Sequence, residues 1–342
     1  VKWFFLFFLL LISFLYFSPN HNTPPLSPTQ PQKERDRIEK EQTAKAGVVS
    51  LIGKTEEEVK KQFGQPIRID DSAYDYKWWI YNEQTSTYLQ LGMMNGRVVT
   101  AFIGGEQIDV TPFRIGQPVQ ELFNLIPLSS TVEVSLRTGT YRFELSEQDM
   151  TVQPIVKMNG VYVQLYIDHF TGKISGIRVM DGETLVKLRP YELVYRGTLP
   201  SAAPLSLQQQ KRVEMANAKQ IFEITNVIRK RYNVPPLDWH EKAAQVAYEH
   251  SKDMKDNRYF SHQSPTRGDL KDRLLSARIP FQVAGENIAA QYIDGIAAVE
   301  GWLNSKRHRD TLLNPQFTHL GVGVAGQYYT QDFLKPWKLS DK

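Results

Sequence analysis

The sequence predicts an α+β chain in two folded parts, and three patterns carry that prediction. Between residues 48 and 197, alternating apolar runs meet at Asn95-Gly96 and Thr171-Gly172, residue pairs suited to hairpin turns. From residue 213 onward, apolar residues recur at helical spacing in four stretches. The chain then closes on glycine-rich runs, Leu320 to Ala325 and Tyr328 to Phe333, which read as strands. Helices alternating with such strands imply a second domain of helices layered on a sheet.

At 342 residues the chain is long enough for two ordinary domains, each with its own core. Its 41% hydrophobic and 23% charged residues are those of folded protein. A net charge of +4, with 41 basic and 37 acidic residues interspersed, gives no basic patch for nucleic acid. Cysteine is absent, which excludes disulfides, thiolate metal sites and a cysteine nucleophile. Lys2 precedes an apolar stretch, Trp3 to Phe17, broken only by Ser13. About 15 apolar residues suit a signal-peptide core, and no small-x-small cleavage pattern follows. Trp3 and Tyr16 bracket the stretch as interfacial residues do, and Lys2 favours an N-inside orientation. Residues 1–17 are therefore read as an uncleaved signal-anchor that leaves the rest outside the membrane. A cleaved signal peptide and a secreted chain are the alternative. Residues 18–47, with five prolines and the run Lys33 to Arg37, are expected to form a solvated stalk.

Residues 48–197 carry an internal repeat. Leu51-Ile52-Gly53 leads into Thr55 to Val59, and Arg114-Ile115-Gly116 leads into Pro118 to Leu122. Each is a glycine turn followed by a short helix, and Thr55 with Glu58 spells a capping box. Tyr88 to Leu91 with Arg97 to Ile103 form the first hairpin; Tyr162 to Leu165 with Lys173 to Val179 form the second. The segment is expected to be a duplicated α+β module. It has no acid pair, histidine cluster or phosphate loop, and His169 stands alone beside a turn. Trp78, Trp79 and Tyr81 alternate on a strand, where packing is the expected role and a binding face the alternative.

Residues 198–212 read as a linker and 213–335 as the final domain. Its first helix carries Ala218, Ile221, Ile224, Ile228 and Tyr232 and stops before Pro235-Pro236. A second, from about His240 to Asn257, places His250 on its apolar stripe, where a packed core histidine is expected. A third carries Leu270, Arg273, Leu274 and Ala277, with Asp269 as N-cap. A fourth carries Ile296, Val299, Trp302 and Leu303. His319, on the first closing strand, is expected to face solvent.

His262, Glu286 and His308 lie in three separate blocks that can converge on one pocket. Imidazole and carboxylate are the donors a zinc-like ion takes, so His262 and His308 are candidate metal ligands. The blocks are Phe260-Ser261-His262, Gly285-Glu286-Asn287-Ile288, Gly301 to Ser305 with His308-Arg309, and Asn314-Pro315-Gln316-Phe317 to Val324. Together they resemble the CAP superfamily: the cysteine-rich secretory, antigen 5 and pathogenesis-related 1 proteins, here in a cysteine-free bacterial form. Asn226 to Arg229, Pro235 to Trp239 and Tyr329 to Phe333 extend the likeness over nearly all of 213–335. The repeated segment is similar to the CAP-associated N-terminal domain found ahead of such domains in Gram-positive bacteria.

The resemblance implies an α-β-α sandwich with a cleft lined by two histidines and two glutamates. His262, Glu286 and His308 match three of the four, and Asn287 joins them as a cleft candidate. The fourth acid, just after the family's equivalent of Trp302, has no counterpart, because Asn304 and Ser305 occupy that stretch. Glu300, about one helical turn earlier, is the candidate substitute. Each candidate has a rival structural role: His262 as a cap of the second helix, His308 in an exposed basic loop, Glu286 as a holder of the Gly285 turn. The two serines flanking His262, Ser261 and Ser264, lack the G-x-S-x-G elbow of a serine hydrolase.

Two functions follow. The first is an extracellular binding module for a lipid, a cell-wall fragment or a peptide, with or without zinc. The alternative is a metal-assisted hydrolase in which His262 and His308 hold the ion and Glu286 polarises water. The lack of a nucleophile and of a second glutamate favours binding.

Overall fold

The computed structural model describes residues 47–337, all of which belong to one compact unit. The expected anchor, residues 1–17, and the expected stalk, residues 18–47, lie outside them except for Gly47. No helix among the described residues is long and apolar enough to cross a membrane.

The N-terminal module begins with helix α1 (Glu56–Phe63), whose Thr55–Glu58 capping box forms as the sequence spells it. Strands β1 (Arg68–Asp71), β2 (Lys77–Tyr81), β3 (Leu89–Met94) and β4 (Arg97–Ile103) follow. After helix α2 (Val119–Leu125) come β5 (Thr131–Leu136), β6 (Gly139–Glu144) and helix α3 (Glu147–Val152). Then come β7 (Ile155–Met158), β8 (Val161–Asp168), β9 (Lys173–Met180), helix α4 (Gly182–Leu188) and β10 (Glu192–Gly197). A seven-stranded sheet runs β1-β2-β3-β4-β9-β8-β7, so the two hairpins expected from the sequence meet along β4 and β9. A smaller sheet runs β10-β6-β5.

Both faces of the large sheet are covered. Trp79 and Tyr81 point into the module's own core with Leu91, Val98 and Ile103. Their strand neighbours Trp78 and Ile80 point the other way, into a core shared with the C-terminal domain. The alternation of β2 therefore separates two cores, and the binding-face alternative for its tryptophans has no exposed surface to use.

The C-terminal domain opens with helix α5 (Leu207–Arg231), capped by Ser206 and Gln209. The expected linker is thus shorter than 198–212, since its second half is helical. Then come β11 (Asp238–Trp239), α6 (Glu241–Asn257), α7 (Leu270–Ser276) and β12 (Phe281–Ala290). The chain ends on α8 (Gly295–Leu303), α9 (Lys306–Leu312), β13 (His319–Ala325) and β14 (Tyr328–Pro336). The sheet order is β11-β13-β14-β12. Leu320, Val322 and Val324 of β13 pack with α5 and α8, whereas Gly321 and Gly323 face α6. A Cβ on Gly323 would fall 1.8 Å from the backbone nitrogen of Tyr248, so glycine there lets helix and strand approach. Helices on both faces make this an α-β-α sandwich.

The largest core joins the two domains: Trp78, Phe102 and Tyr166 pack with Ile221, Val299 and Trp302. Polar pairs cross the same seam. Arg68 meets Glu223 at 2.5 and 3.0 Å, and fully buried Arg178 meets Asp294 at 2.7 Å. Asp294 also caps α8 by accepting from the Ala297 amide. A buried guanidinium stripped of its counterion is expensive. Asp294→Ala is expected to cost about 3–5 kcal/mol of unfolding free energy in chemical denaturation; a loss within error of zero would contradict this account of the seam.

Candidate functional site

The cleft forms along β12, and local sequence explains its placement. Ala284, Glu286 and Ile288 are alternate residues of a strand, so they share one face and line the cleft together. The expected turn at Gly285 is strand instead. Gly285 is needed for close approach, because a Cβ there would come 2.7 Å from the Phe317 ring. Helix α6 ends at Arg258 in the left-handed conformation, and the chain beyond folds back on Asp253. That carboxylate accepts from the hydroxyls of Tyr259 and Ser264 at 2.5 and 2.7 Å. Ser264 thus serves the fold of the loop that carries His262, and His262 lies beyond the helix cap rather than forming it.

The resulting cleft has a volume of about 690 Å³, with His262, Glu286 and His308 in its lining. Phe260, Leu270, Phe281 and Ile288 supply apolar walls, and Asp269 and Lys271 add charge. His262 Nδ1 lies 2.7 Å from Glu286 Oε1. Arg273 donates to Glu286 Oε2 and, through Nη1, to the His262 carbonyl at 2.9 Å. His308 Nδ1 lies 2.8 Å from Ser305 Oγ. With both Nδ1 atoms engaged, Nε2 is the ring nitrogen each histidine retains for the cleft. His308 belongs to the short helix α9 and is half-buried, not part of an exposed basic loop.

Burial pushes the Glu286 carboxyl up, but the His262 hydrogen bond and the Arg273 charge outweigh it and hold it below the usual range. Two further buried groups adjoin it. His250 Nε2 lies 3.8 Å from Glu286 Oε2 and 3.1 Å from the Ser261 carbonyl; burial lowers its pKa. Asp332 faces Glu286 across the β12–β14 ladder. Burial and then the Glu286 charge drive its carboxyl well up, which favours the protonated form. His308 is lowered by burial and by the nearby His262, so it stays neutral at neutral pH.

Two expected cleft residues lie elsewhere. Asn287 alternates to the opposite face of β12 and is fully buried, where its amide donates to the His308 carbonyl at 3.1 Å and to Gln331. Glu300, the candidate fourth acid, points into the domain seam and accepts from Ser175 Oγ at 2.5 Å. Helix geometry turns it about 100° from its neighbours per residue, and that direction carries it away from the cleft. Arg273, His250 and Asp332 were not singled out as site residues. For Arg273 and His250 the signal was present, since each puts an ionisable group on an otherwise apolar helix stripe, which requires a buried partner; Asp332 follows Thr330 and Gln331 on a mixed strand and gives no such contrast. His319, expected in solvent, is half-buried with its ring against His240.

Zinc can be tested against this donor set. Metal-bound histidines usually have the other ring nitrogen hydrogen-bonded, as both do here. Yet no group of three His, Asp or Glu among the described residues is placed to hold a metal. Glu286 has its oxygens committed to His262 and Arg273. Among the described residues the donor set therefore lacks the further ligands that a closed structural zinc site requires.

The same organisation recurs in known proteins. Residues 52–191 match the CAP-associated N-terminal family, and residues 222–334 match the cysteine-rich secretory protein family called CAP. The chain is 50% identical over 292 residues to YlbC of Bacillus subtilis, described as an uncharacterized membrane protein; the match spans 85% of this chain and 84% of that one. An extracellular SCP-domain protein from Bacillus anthracis superposes with a TM-score of 0.81 at 47% identity, covering 84% of this chain and 95% of that one. A cysteine-rich secretory protein from Staphylococcus aureus gives 0.77 at 25% identity over 85% and 93%. The chain belongs to the CAP family and carries a CAP-associated N-terminal domain ahead of its CAP domain.

Glu300 gives this region a pH signature. Burial pushes its carboxyl up from 4.5 to about 7, against the downward pull of Ser175 and Arg231. The folded chain therefore holds that proton more tightly than the unfolded chain, and stability falls as pH rises between those values. Glu300→Gln is expected to remove a loss on the order of 3 kcal/mol, leaving the variant more stable than wild type above neutrality. An unchanged stability-versus-pH profile in denaturation would contradict this placement of the acid.

Proposed function

We propose that the chain is a binding module outside the cell membrane, whose cleft takes a cell-wall fragment or peptide against two histidines. One observation carries this reading. His262 and His308 line the same cleft, and each has its Nδ1 tied to a supporting group. An open cleft with apolar walls and a polar centre suits an elongated ligand of mixed character. A lipid chain, the other ligand class raised by the sequence, is better served by an enclosed apolar cavity. Descriptions of two relatives, one as a membrane protein and one as extracellular, support the location. In this reading the apolar residues 3–17 tether the module to the outer face of the membrane.

Zinc, where present, would be held by Nε2 of His262 and His308, and would supply a Lewis acid for a ligand carbonyl or carboxylate. The chain's own groups orient those imidazoles: Glu286 fixes His262, and Ser305 fixes His308. The hydrolase alternative is weakened by Glu286, which is clamped by Arg273 and lowered in pKa, so it makes a poor general base near neutrality.

Calorimetric titration of the full chain in detergent with zinc, and with soluble cell-wall peptides, tests the reading. Wild type is expected to bind both at pH 7, with His308→Ala weakening zinc by about tenfold or more. Zinc binding is expected to fall as pH drops, since an imidazole ligand must be deprotonated. Equal binding by wild type and variant would sink the two-histidine site. Hydrolysis of the peptides by wild type, abolished in Glu286→Gln, would replace this reading with the enzymatic one.

A further inference from the structure

We infer that the N-terminal domain positions His308, by gripping the chain on both sides of it through the β8–β9 turn. The inference starts from a weakness. Helix α9 has only seven residues, and Ser305 gives it no side-chain cap because its hydroxyl faces His308 instead. A helix that short has little stability of its own, so tertiary contacts must place it. Its C-terminal end is held within the CAP domain, where Arg229 donates to the carbonyls of Leu312 and Asn314 at 2.8 and 3.0 Å. Its N-terminal end is held from the other domain.

Before His308, Asn304 uses both ends of its amide on the turn. Nδ2 donates to the Ile167 carbonyl at 2.8 Å, and Oδ1 accepts from the His169 amide at 2.9 Å. The next residue is Ser305, the hydroxyl that engages His308 Nδ1. After His308, Arg309 makes a two-pronged pair with Asp168, at 2.8 and 3.0 Å. Its guanidinium packs between the rings of Phe170 and Tyr232, at 4.9 and 4.8 Å. Asp168 is buried and also accepts from the Phe170 amide and Thr171 hydroxyl, both at 3.0 Å, and from the Tyr232 hydroxyl. A carboxylate with that many donors is fixed, and a planar fork bound to it on both prongs is fixed with it. Successive helix residues diverge by about 100°, so anchoring Arg309 on the seam sets the rotation that turns His308 to the cleft.

This also explains the departure at the position where the family resemblance implied a fourth acid. Asn304 and Glu300, the residues nearest that position, both bond to the N-terminal domain. Asp168 and Asn304 are positioning residues: they act on the cleft through the backbone that carries His308.

Amide hydrogen exchange and zinc titration of the full chain in detergent test this, using Asp168→Ala, Asn304→Ala and the seam control Glu300→Gln. The zinc arm rests on the two-histidine reading proposed above; the exchange arm does not. In both alanine variants, amides of residues 305–312 are expected to exchange at least about tenfold faster while those of α6 keep their protection. Zinc affinity is expected to fall about tenfold, as for loss of a group that orients a ligand. Glu300→Gln is expected to change neither. The inference is overturned if the alanine variants match wild type in exchange at 305–312, or if all three variants loosen the whole domain equally. Should wild type bind no zinc, the earlier reading fails and the exchange arm alone decides this one. Should Asp168→Ala fail to fold, Arg309→Lys, which keeps the cation but loses the fork, takes its place with the same expected exchange.

Discussion

A carboxylate withdrawn from water must be neutralised where it stands, and Glu286 meets that constraint with Arg273. The pair joins β12 to α7, and through the His262 carbonyl the same guanidinium fixes the loop after α6. Glu286 then has one oxygen left to orient His262. The surrounding groups adopt the protonation that this pair allows. Burial and the Glu286 charge favour protonated Asp332, and burial favours neutral His250. The outcome is a cleft floor near electrical neutrality that presents imidazole nitrogen in place of free carboxylate. That chemistry suits recognition of polar groups better than activation of water.

The second histidine depends on a different support. The CAP sandwich and the N-terminal sheet share a hydrophobic core, and buried ion pairs cross between them. Such a seam resembles the interior of one domain more than a contact between two mobile ones. Asp168 and Asn304 extend it to the base of the cleft. The N-terminal domain thereby becomes part of the site's framework although it contributes no residue to the cleft lining.

Periodicity made much of the fold legible. The hairpins at Asn95-Gly96 and Thr171-Gly172, the Thr55–Glu58 box, the Asp269 cap and the helical stripes of α5 to α8 are local signals, and local physics produced them. Strand β12 was not legible, because Gly285, Glu286 and Asn287 have weak strand preference and are held by pairing with β14. Helix α9 was hidden for a similar reason: Lys306 to Arg309 spell a charged loop until Asp168 holds Arg309 and Arg229 holds the Leu312 carbonyl at the helix's far end. Within the site, the blocks around His262, Glu286 and His308 could be picked out, but their supports could not. Arg273 lies 13 residues from Glu286 in sequence and Asp168 lies 141 from Arg309, and no spacing rule links such pairs. The direction of Glu300 was missed because helical phase alone does not say which neighbour occupies each face.

The proposed binding role requires Nε2 of His262 and Nε2 of His308 to reach the same ligand in the cleft that both residues line. Anomalous diffraction at the zinc edge, from zinc-soaked crystals of residues 43–342, tests it most directly. The account predicts one peak bonded to both Nε2 atoms at about 2 Å, with Glu286 still on His262 Nδ1. A peak on Glu286 oxygens, or zinc bound elsewhere with the two imidazoles turned apart, would contradict it.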